Sequence, residues 1–243
     1  MLERDSRTAM LIGEHSLNKL KSSRVAVFGI GGVGGHTTDA LARAGVGELD
    51  LFDNDTVSES NINRQLIATY ETLGEYKTEA FERRIKSLNP DCRVNLHTCF
   101  VTPEIIEELD LSVFDYIVDA IDTVSAKIAL AVKAERENVP IISSMGTGNK
   151  LDPTRFEISD VYKTSVCPLA RVMRSELRRR GVRALKVLYS KEEPSSYAIK
   201  NENVTPCEEK RAKIPPASIS FVPAAAGLII AGEVIKDIIG VNS

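Results

Sequence analysis

The sequence predicts an α/β fold, a doubly wound and mostly parallel sheet with a C-terminal extension. Three observations lead there. Strand-like and helix-like segments alternate over 24–144, the pattern of parallel strands joined by covering helices. A glycine-rich turn joins the first strand to the helix after it, where the backbone must approach another group closely. After Met145 the alternation lapses into a polar stretch and then an apolar end, so the extension differs from what precedes it.

Taken in order, Thr8 to Lys21 has the spacing of an amphipathic helix, with Leu11, Leu17 and Leu20 as its apolar positions. Arg24 to Ile30 (RVAVFGI) is rich in β-branched residues and reads as a buried strand. Thr37 to Ala44 reads as a helix and Glu48 to Asp53 as the second strand. Thr78 to Leu88 is helical and stops at Asn89-Pro90, because a residue before proline is steered out of the helical region. Arg93 to Cys99 and Tyr116 to Asp119 are strands, Ser125 to Glu137 a helix, and Pro140 to Ser144 a fifth strand. Beyond Met145 the pattern predicts a strand over Phe156 to Val161, a basic helix over Leu169 to Arg180 and a strand over Ala184 to Ser190. Lys191 to Pro216, rich in Pro, Glu, Lys and Ser, reads as a mobile loop. Pro223 to Gly240 is the most apolar run; Glu233, Lys236 and Asp237 interrupt it. It is too short to cross a bilayer comfortably, so a buried or dimer-packing helix is expected and no integral membrane span.

Composition narrows the function classes. The chain has 243 residues, 43% apolar and 27% charged, as expected of a globular protein with one large domain or one domain and an appendage. A formal net charge of −3 excludes a bulk polyanion binder, so any nucleic-acid contact must come from a local patch. None of the four cysteines, Cys92, Cys99, Cys167 and Cys207, forms a C-x-x-C pair, so the usual zinc and thioredoxin spacings are absent. The N-terminus lacks an apolar signal core, which makes a cytoplasmic protein with free thiols the expectation.

The chemistry begins at Gly29-Ile30-Gly31-Gly32-Val33-Gly34-Gly35, which holds G-x-G-x-x-G between a strand and a helix. Such a turn lets the backbone approach an anion, and the helix start offers unpaired N–H groups and the positive end of its dipole. Asp53 closes the second strand 19 residues after Gly34, where a carboxylate can accept from ribose hydroxyls. This pattern says nucleotide and no more. Arg64, Lys77 and Asp122 fall at or just past the carboxyl ends of strands, or in the segments that follow. Two cations and a hard oxygen ligand suited to magnesium are more than a dinucleotide's pyrophosphate needs, and point to a triphosphate. Asp122 could instead cap the helix that begins near Ser125. Asp55 could be a turn residue.

At GIGGVGG, DNDTV, SNINRQ, GEYKTEA and DAIDTV, in that order from about Arg4 to Gly146, the sequence resembles the ThiF/MoeB branch of the ubiquitin-activating-enzyme superfamily. The resemblance implies a Rossmann-like fold of ubiquitin-activating-enzyme type, with ATP and Mg2+ as cofactors. It implies that Gly29, Gly31, Gly32 and Gly34 take the phosphates, that Asp53 holds the ribose and that Asn61 lines the nucleotide, with Asp55 beside them as a further candidate contact. It assigns catalysis to Arg64, Lys77, Asp122 and Arg7, with Asp122 on the metal and Arg7 reaching the neighbouring subunit of a homodimer.

NPDCRV, FVTPE, LDPT and KTSVCPLA extend the likeness into the C-terminal third, toward the branch that dehydrates threonylcarbamoyladenosine in tRNA. The likeness fails around Lys191 to Ile219. It implies that ATP adenylates a threonyl carboxylate, after which a nucleophile in the same modified base closes a ring and expels AMP. The partner would be tRNA rather than DNA, and Arg171, Arg174, Arg178, Arg179, Arg180, Arg183 and Lys186 form the one dense cationic run. The alternative is an activator of a ubiquitin-like sulfur-carrier protein, with a sulfur-transfer partner and a catalytic cysteine at Cys167 or Cys207. The missing zinc cysteines weaken it. In this division 1–146 is the adenylation core with its N-terminal helix, and 147–243 completes the same domain.

Overall fold

The structure is a computed structural model that describes residues 3–194 and 216–241. Seven strands form one sheet in the order β3-β2-β1-β4-β5-β7-β6, namely β1 Arg24–Phe28, β2 Glu48–Phe52, β3 Arg93–His97, β4 Tyr116–Asp119, β5 Ile141–Ser144, β6 Phe156–Asp160 and β7 Lys186–Ser190. Every pairing is parallel except that of β6 with β7. The chain moves outward from β1 to β3, then returns to place β4 on the other side of β1. The gap between β1 and β4 at their carboxyl ends is the topological switch point, where an open sheet of this kind leaves a crevice.

Alternation along the strands builds two layers. Val25 and Val27 of β1, with Leu49 and Leu51 of β2, face one side, and Ala26, Phe28 and Phe52 face the other. On the first side lie α2 (Glu14–Lys21), α3 (Gly32–Ala44), α4 (Lys77–Leu88) and α8 (Phe221–Ile239); on the second lie α5 (Pro103–Glu108), α6 (Val124–Glu137) and α7 (Pro168–Arg179). The terminal helix α8 buries Val222, Ala226, Ile230, Ala231 and Val234 in the first core. It meets α3 closely enough that Thr37 Oγ1 donates to the Gly227 carbonyl at 3.0 Å. A Cβ on Gly227 would stand 2.4 Å from the Val33 carbonyl oxygen. The apolar run therefore packs mainly within its own chain. No helix among the described residues is long and apolar enough to cross a membrane.

Several expected elements are corrected. The first helix is broken at Gly13, whose φ of +83° lies in the left-handed region, into α1 (Ser6–Ile12) and α2. Leu11 is 86% exposed, whereas Leu17 and Leu20 are buried. The helix expected from Thr37 starts five residues earlier at Gly32, because glycine in its first turn serves packing rather than propensity. Strand β1 ends at Phe28 rather than Ile30, where Gly29 turns to φ +82°. Helix α5 was not anticipated, although Thr102-Pro103 marks its start: the Thr102 side chain accepts from Ile105 N at 3.3 Å, with proline at N1. Most of the expected loop from Lys191, and Cys207 with it, lies outside the described residues.

Candidate active site

The glycine turn separates into two jobs. Gly34 lies behind the turn, where a Cβ would sit 1.8 Å from the Gly29 carbonyl oxygen. At Gly29 it would stand 2.7 Å from the carbonyl oxygen of Ala120, beyond β4. These two let α3 and β4 close on the turn. Gly31 and Gly32, at the start of α3, line a cavity of about 480 Å³ with Gly29. Gly34 does not line that cavity, and its close approach to the Gly29 carbonyl gives it a packing role.

Asp53, just past β2, is locked by the backbone. Its carboxylate accepts from Ile30 N and Asp55 N, both at 2.9 Å. Burial pushes the Asp53 carboxyl above its ordinary value, and Lys77 and those two N–H groups offset part of the rise. Lys77 begins α4 and is 4% exposed, with Nζ 2.6 Å from Asp55 Oδ2 and 3.8 Å from Asp53 Oδ1. Asp55 is therefore more than a turn residue, since it holds the buried lysine. Asn61 is buried, and its Oδ1 accepts from Ser58 N at 3.2 Å. Its side-chain amide nitrogen makes no hydrogen bond among the described residues. Arg64 follows one turn on, and its Nη1 donates to the Ser60 carbonyl and Asn63 Oδ1, both at 2.9 Å. Its Nε and Nη2 make no hydrogen bond among the described residues, although both can donate.

Across the cavity, the loop after β4 carries Asp122. Its carboxylate is exposed, and its one side-chain hydrogen bond among the described residues comes from Thr123 Oγ1 at 3.4 Å. It does not cap α6, whose N-cap is Thr123 without a side-chain cap bond. The site thus joins Gly29, Gly31, Gly32, Asp53, Asp55, Asn61, Arg64, Lys77 and Asp122 on one cavity at the switch point.

Sequence reasoning missed four contributors. Gln65, adjoining Arg64, is buried, lines the cavity and leaves its Oε1 without a hydrogen bond among the described residues. Phe52 forms part of the wall and stacks between Phe28 and His97, with centroids 4.1 and 4.0 Å away. Ser218 and Pro223 arrive from the C-terminal end, and no local spacing signals that approach.

The remaining candidates lie elsewhere. Arg7 is exposed on α1, outside this cavity, and makes no ion pair among the described residues. Arg171 sits in the first turn of α7 and is exposed. Arg174 is half-buried and donates to the Thr164 carbonyl at 3.0 Å. Arg178 covers the Tyr162 ring at 5.3 Å. Arg179 and Arg180 pair with Glu176, and Arg183 with Glu135. Lys186 opens β7 and points at α8, where Glu233 and Asp237 hold it at 2.9 and 2.6 Å. Lys186 is thus a half-buried ion-pair partner of the α8 carboxylates, with its ammonium already engaged there. Cys167 is 2% exposed at the start of α7, outside the cavity. Cys99 lines the cavity, and burial pushes its thiol up, away from the thiolate a nucleophile needs.

Comparison with known proteins follows this geometry. The ThiF family model matches residues 5–243. A tRNA threonylcarbamoyladenosine dehydratase of Bacillus subtilis (strain 168) is 42% identical over 243 residues, covering 98% of this chain and 96% of its own. The crystal structure of Escherichia coli tRNA N6-threonylcarbamoyladenosine dehydratase, TcdA, in complex with AMP superposes with a TM-score of 0.87 at 30% identity, over 98% of this chain and 94% of that one. The same E. coli protein in complex with ATP gives a TM-score of 0.84 at 30% identity, with the same coverage.

Proposed function

The chain belongs to the ThiF family, and from that premise we propose that it is an ATP-dependent tRNA threonylcarbamoyladenosine dehydratase. The observation that carries this reading is the meeting of three features on one cavity. They are an anion-accepting glycine turn, a buried lysine and an exposed carboxylate at Asp122. The likeness to the B. subtilis and E. coli dehydratases supports the substrate.

In this reading Asp53 keeps lone pairs free for the ribose hydroxyls after its two backbone bonds. Gly31 and Gly32 offer backbone to the phosphates at the start of α3. Lys77 spends one donor on Asp55 and turns its others to the phosphates, and Arg64 brings Nε and Nη2. The threonyl carboxylate oxygen bonds to the α-phosphorus as the bond to pyrophosphate breaks. A nucleophile of the same modified base then attacks the activated carbonyl and AMP leaves with the carboxyl oxygen. The modified nucleoside is thus one water lighter. The nucleophile is tethered, so positioning does much of the work. Charge neutralisation by Arg64 and Lys77 does the rest.

The donor set fits Mg2+ held in the manner usual for nucleotide sites, by a single carboxylate and substrate phosphates. Asp122 would be that carboxylate, and among the described residues no group of three or more His, Cys, Asp or Glu could cage a metal alone. When bound, Mg2+ would neutralise charge on the phosphates.

Arg7, exposed with Met10 and Leu11 on α1, supports a homodimer in which it serves the neighbouring cavity. Arg171, Arg178, Arg179, Arg180 and Arg183 keep enough exposure to position tRNA phosphates. Residues 1–146 form the adenylation core and 147–243 complete it and carry the RNA surface. A tRNA substrate supports a cytoplasmic reaction. A sulfur-transfer partner is not required by this chemistry. The test is mass analysis of nucleosides from bulk tRNA incubated with the protein, ATP and Mg2+. Threonylcarbamoyladenosine should lose one water and AMP should appear. Unchanged tRNA, with AMP formed only on a carrier protein's C-terminus, would overturn the reading in favour of a carrier-protein activator.

A further inference from the structure

Beneath the loop that carries Asp122 lies a charged pair with no access to solvent. Asp119 ends β4 and Lys127 lies near the start of α6, both 0% exposed. Lys127 Nζ stands 3.0 Å from Asp119 Oδ2 and donates to the Asp119 carbonyl at 3.4 Å. Ser143 Oγ of β5 donates to the same Oδ2 at 2.5 Å, and Ile121 N donates to Oδ1 at 3.2 Å. The carboxylate therefore ties together three pieces of chain: its own strand, the strand beside it and the helix after it.

The four-residue loop 120–123 is closed by these bonds. Ala120 is fixed independently, since its N–H donates to the Phe28 carbonyl at 2.8 Å and its own carbonyl abuts Gly29. The freedom that remains lies in Ile121, Asp122 and Thr123, all of which line the cavity. Lys127 reaches back from the far end of that stretch to its near end. A buried ion pair is worth little over an apolar pair of the same volume, because desolvation cancels the attraction. What such a pair does provide is direction, since its hydrogen bonds hold in one geometry only.

We infer that Lys127 is a positioning residue, which clamps the ends of the 120–123 loop through Asp119 and so fixes Asp122 across the cavity from the glycine turn. This rests on the adenylation reading of that cavity. Lys127 touches no ligand itself. Its effect passes through Asp122, so the two should not act additively.

The experiment is a double-mutant cycle on the full-length protein with ATP, Mg2+ and tRNA. The clamp is removed by Lys127→Met with Asp119→Asn, which is neutral and close to isosteric, in the wild-type and Asp122→Asn backgrounds. In the wild-type background AMP formation should fall about a hundredfold in kcat, the cost typical of misplacing a reacting group by about an ångström. The KM for ATP should stay within about threefold, as expected when only transition-state interactions are lost. In the Asp122→Asn background the clamp variant should cost less than about threefold further. A second readout needs no turnover: the rise in Tm that Mg2+ adds to ATP should vanish in the clamp variant while the rise from ATP alone persists. An undiminished kcat, or the same hundredfold loss repeated in the Asp122→Asn background, overturns the inference. Should the clamp variant not fold, Ser143→Ala removes one bond to Asp119 and goes through the same cycle, with a loss of about tenfold that also disappears without Asp122. A persistent loss, or none, overturns the inference there too. Failure of the adenylation reading is distinct, because the wild-type protein would then form no AMP with tRNA.

Discussion

The cavity edge of the sheet and the basic helix α7 hold charged residues under opposite constraints. At the cavity, Asp53 is held by two backbone N–H groups and Lys77 is buried against Asp55. The glycine turn permits one close-packed conformation. On α7 the arginines project from one amphipathic helix, whose inner face buries Ala170, Met173 and Leu177, and Arg179, with Arg180 just after it, pairs with Glu176. Backbone sets the first region, so side chains there start in place for a ligand. Solvent surrounds the second, where exposed ion pairs contribute little and exchange easily. The lesson is that a cation's place in a motif tells more about chemistry than its place in a run.

The largest expected effect lies at the cavity. Arg64→Ala should reduce AMP formation roughly a thousandfold, since an electrostatic donor to developing charge in a closed site is worth about 3–4 kcal/mol. Filter binding should show tRNA affinity nearly unchanged. A parallel fall in tRNA affinity would erase the distinction between the two regions.

An intermediate effect concerns a buried charge held by neighbouring side chains, away from the cavity. Burial pushes the Asp50 carboxyl up, but hydrogen bonds from His97, Arg24 and Asn95 outweigh it and hold it at about 2, below the ordinary 3.8. The folded value is depressed, so the stabilisation is present above the ordinary value and is lost as pH falls through it toward 2. Asp50→Asn should therefore destabilise the protein by about 2 kcal/mol at neutral pH. The gap from wild type should narrow between pH 4 and pH 2 in urea unfolding. A gap independent of pH would show that packing, not charge, sets the cost.

The smallest effect is expected on α7 and just beyond it. Replacing Arg178, Arg179 and Arg183 with Ala should leave ATP affinity unchanged and weaken tRNA binding about tenfold at moderate salt. The plot of log affinity against log salt should flatten by roughly 0.7–0.9 for each phosphate that is no longer neutralised. Adding Arg174→Ala should instead lower Tm, because that guanidinium holds the Thr164 carbonyl. Unaltered tRNA binding in the triple variant would remove the RNA role from this surface and return weight to the carrier-protein alternative.

Much of the fold was legible because it is written locally. Strand β1 reads from its β-branched run and the glycine turn from its spacing. Helix α4 reads from the proline after its end, since each depends on neighbours in sequence. The break at Gly13 was missed because the apolar spacing continues across it, and only a positive φ ends the helix there. Helix α5 was missed because six residues are too few to show a period, although Thr102-Pro103 was in view. At the site, DNDTV and SNINRQ locate Asp53, Asn61 and Arg64, whereas Gln65 needed burial to reveal an oxygen without a hydrogen bond among the described residues.

By itself the sequence determined the alternation that makes a parallel sheet, the phosphate-accepting turn and the identity of the charged residues near it. These follow from propensity, glycine's freedom and spacing along the chain. Tertiary structure alone decided that Gly34 packs against the Gly29 carbonyl, and that Lys186 pairs with Glu233 and Asp237. It also decided that Asp119 and Lys127 meet with no access to water beneath Asp122. The reason is physical. A charge's role depends on its partners and its distance from solvent, and both are set by segments far apart in sequence that only packing brings together.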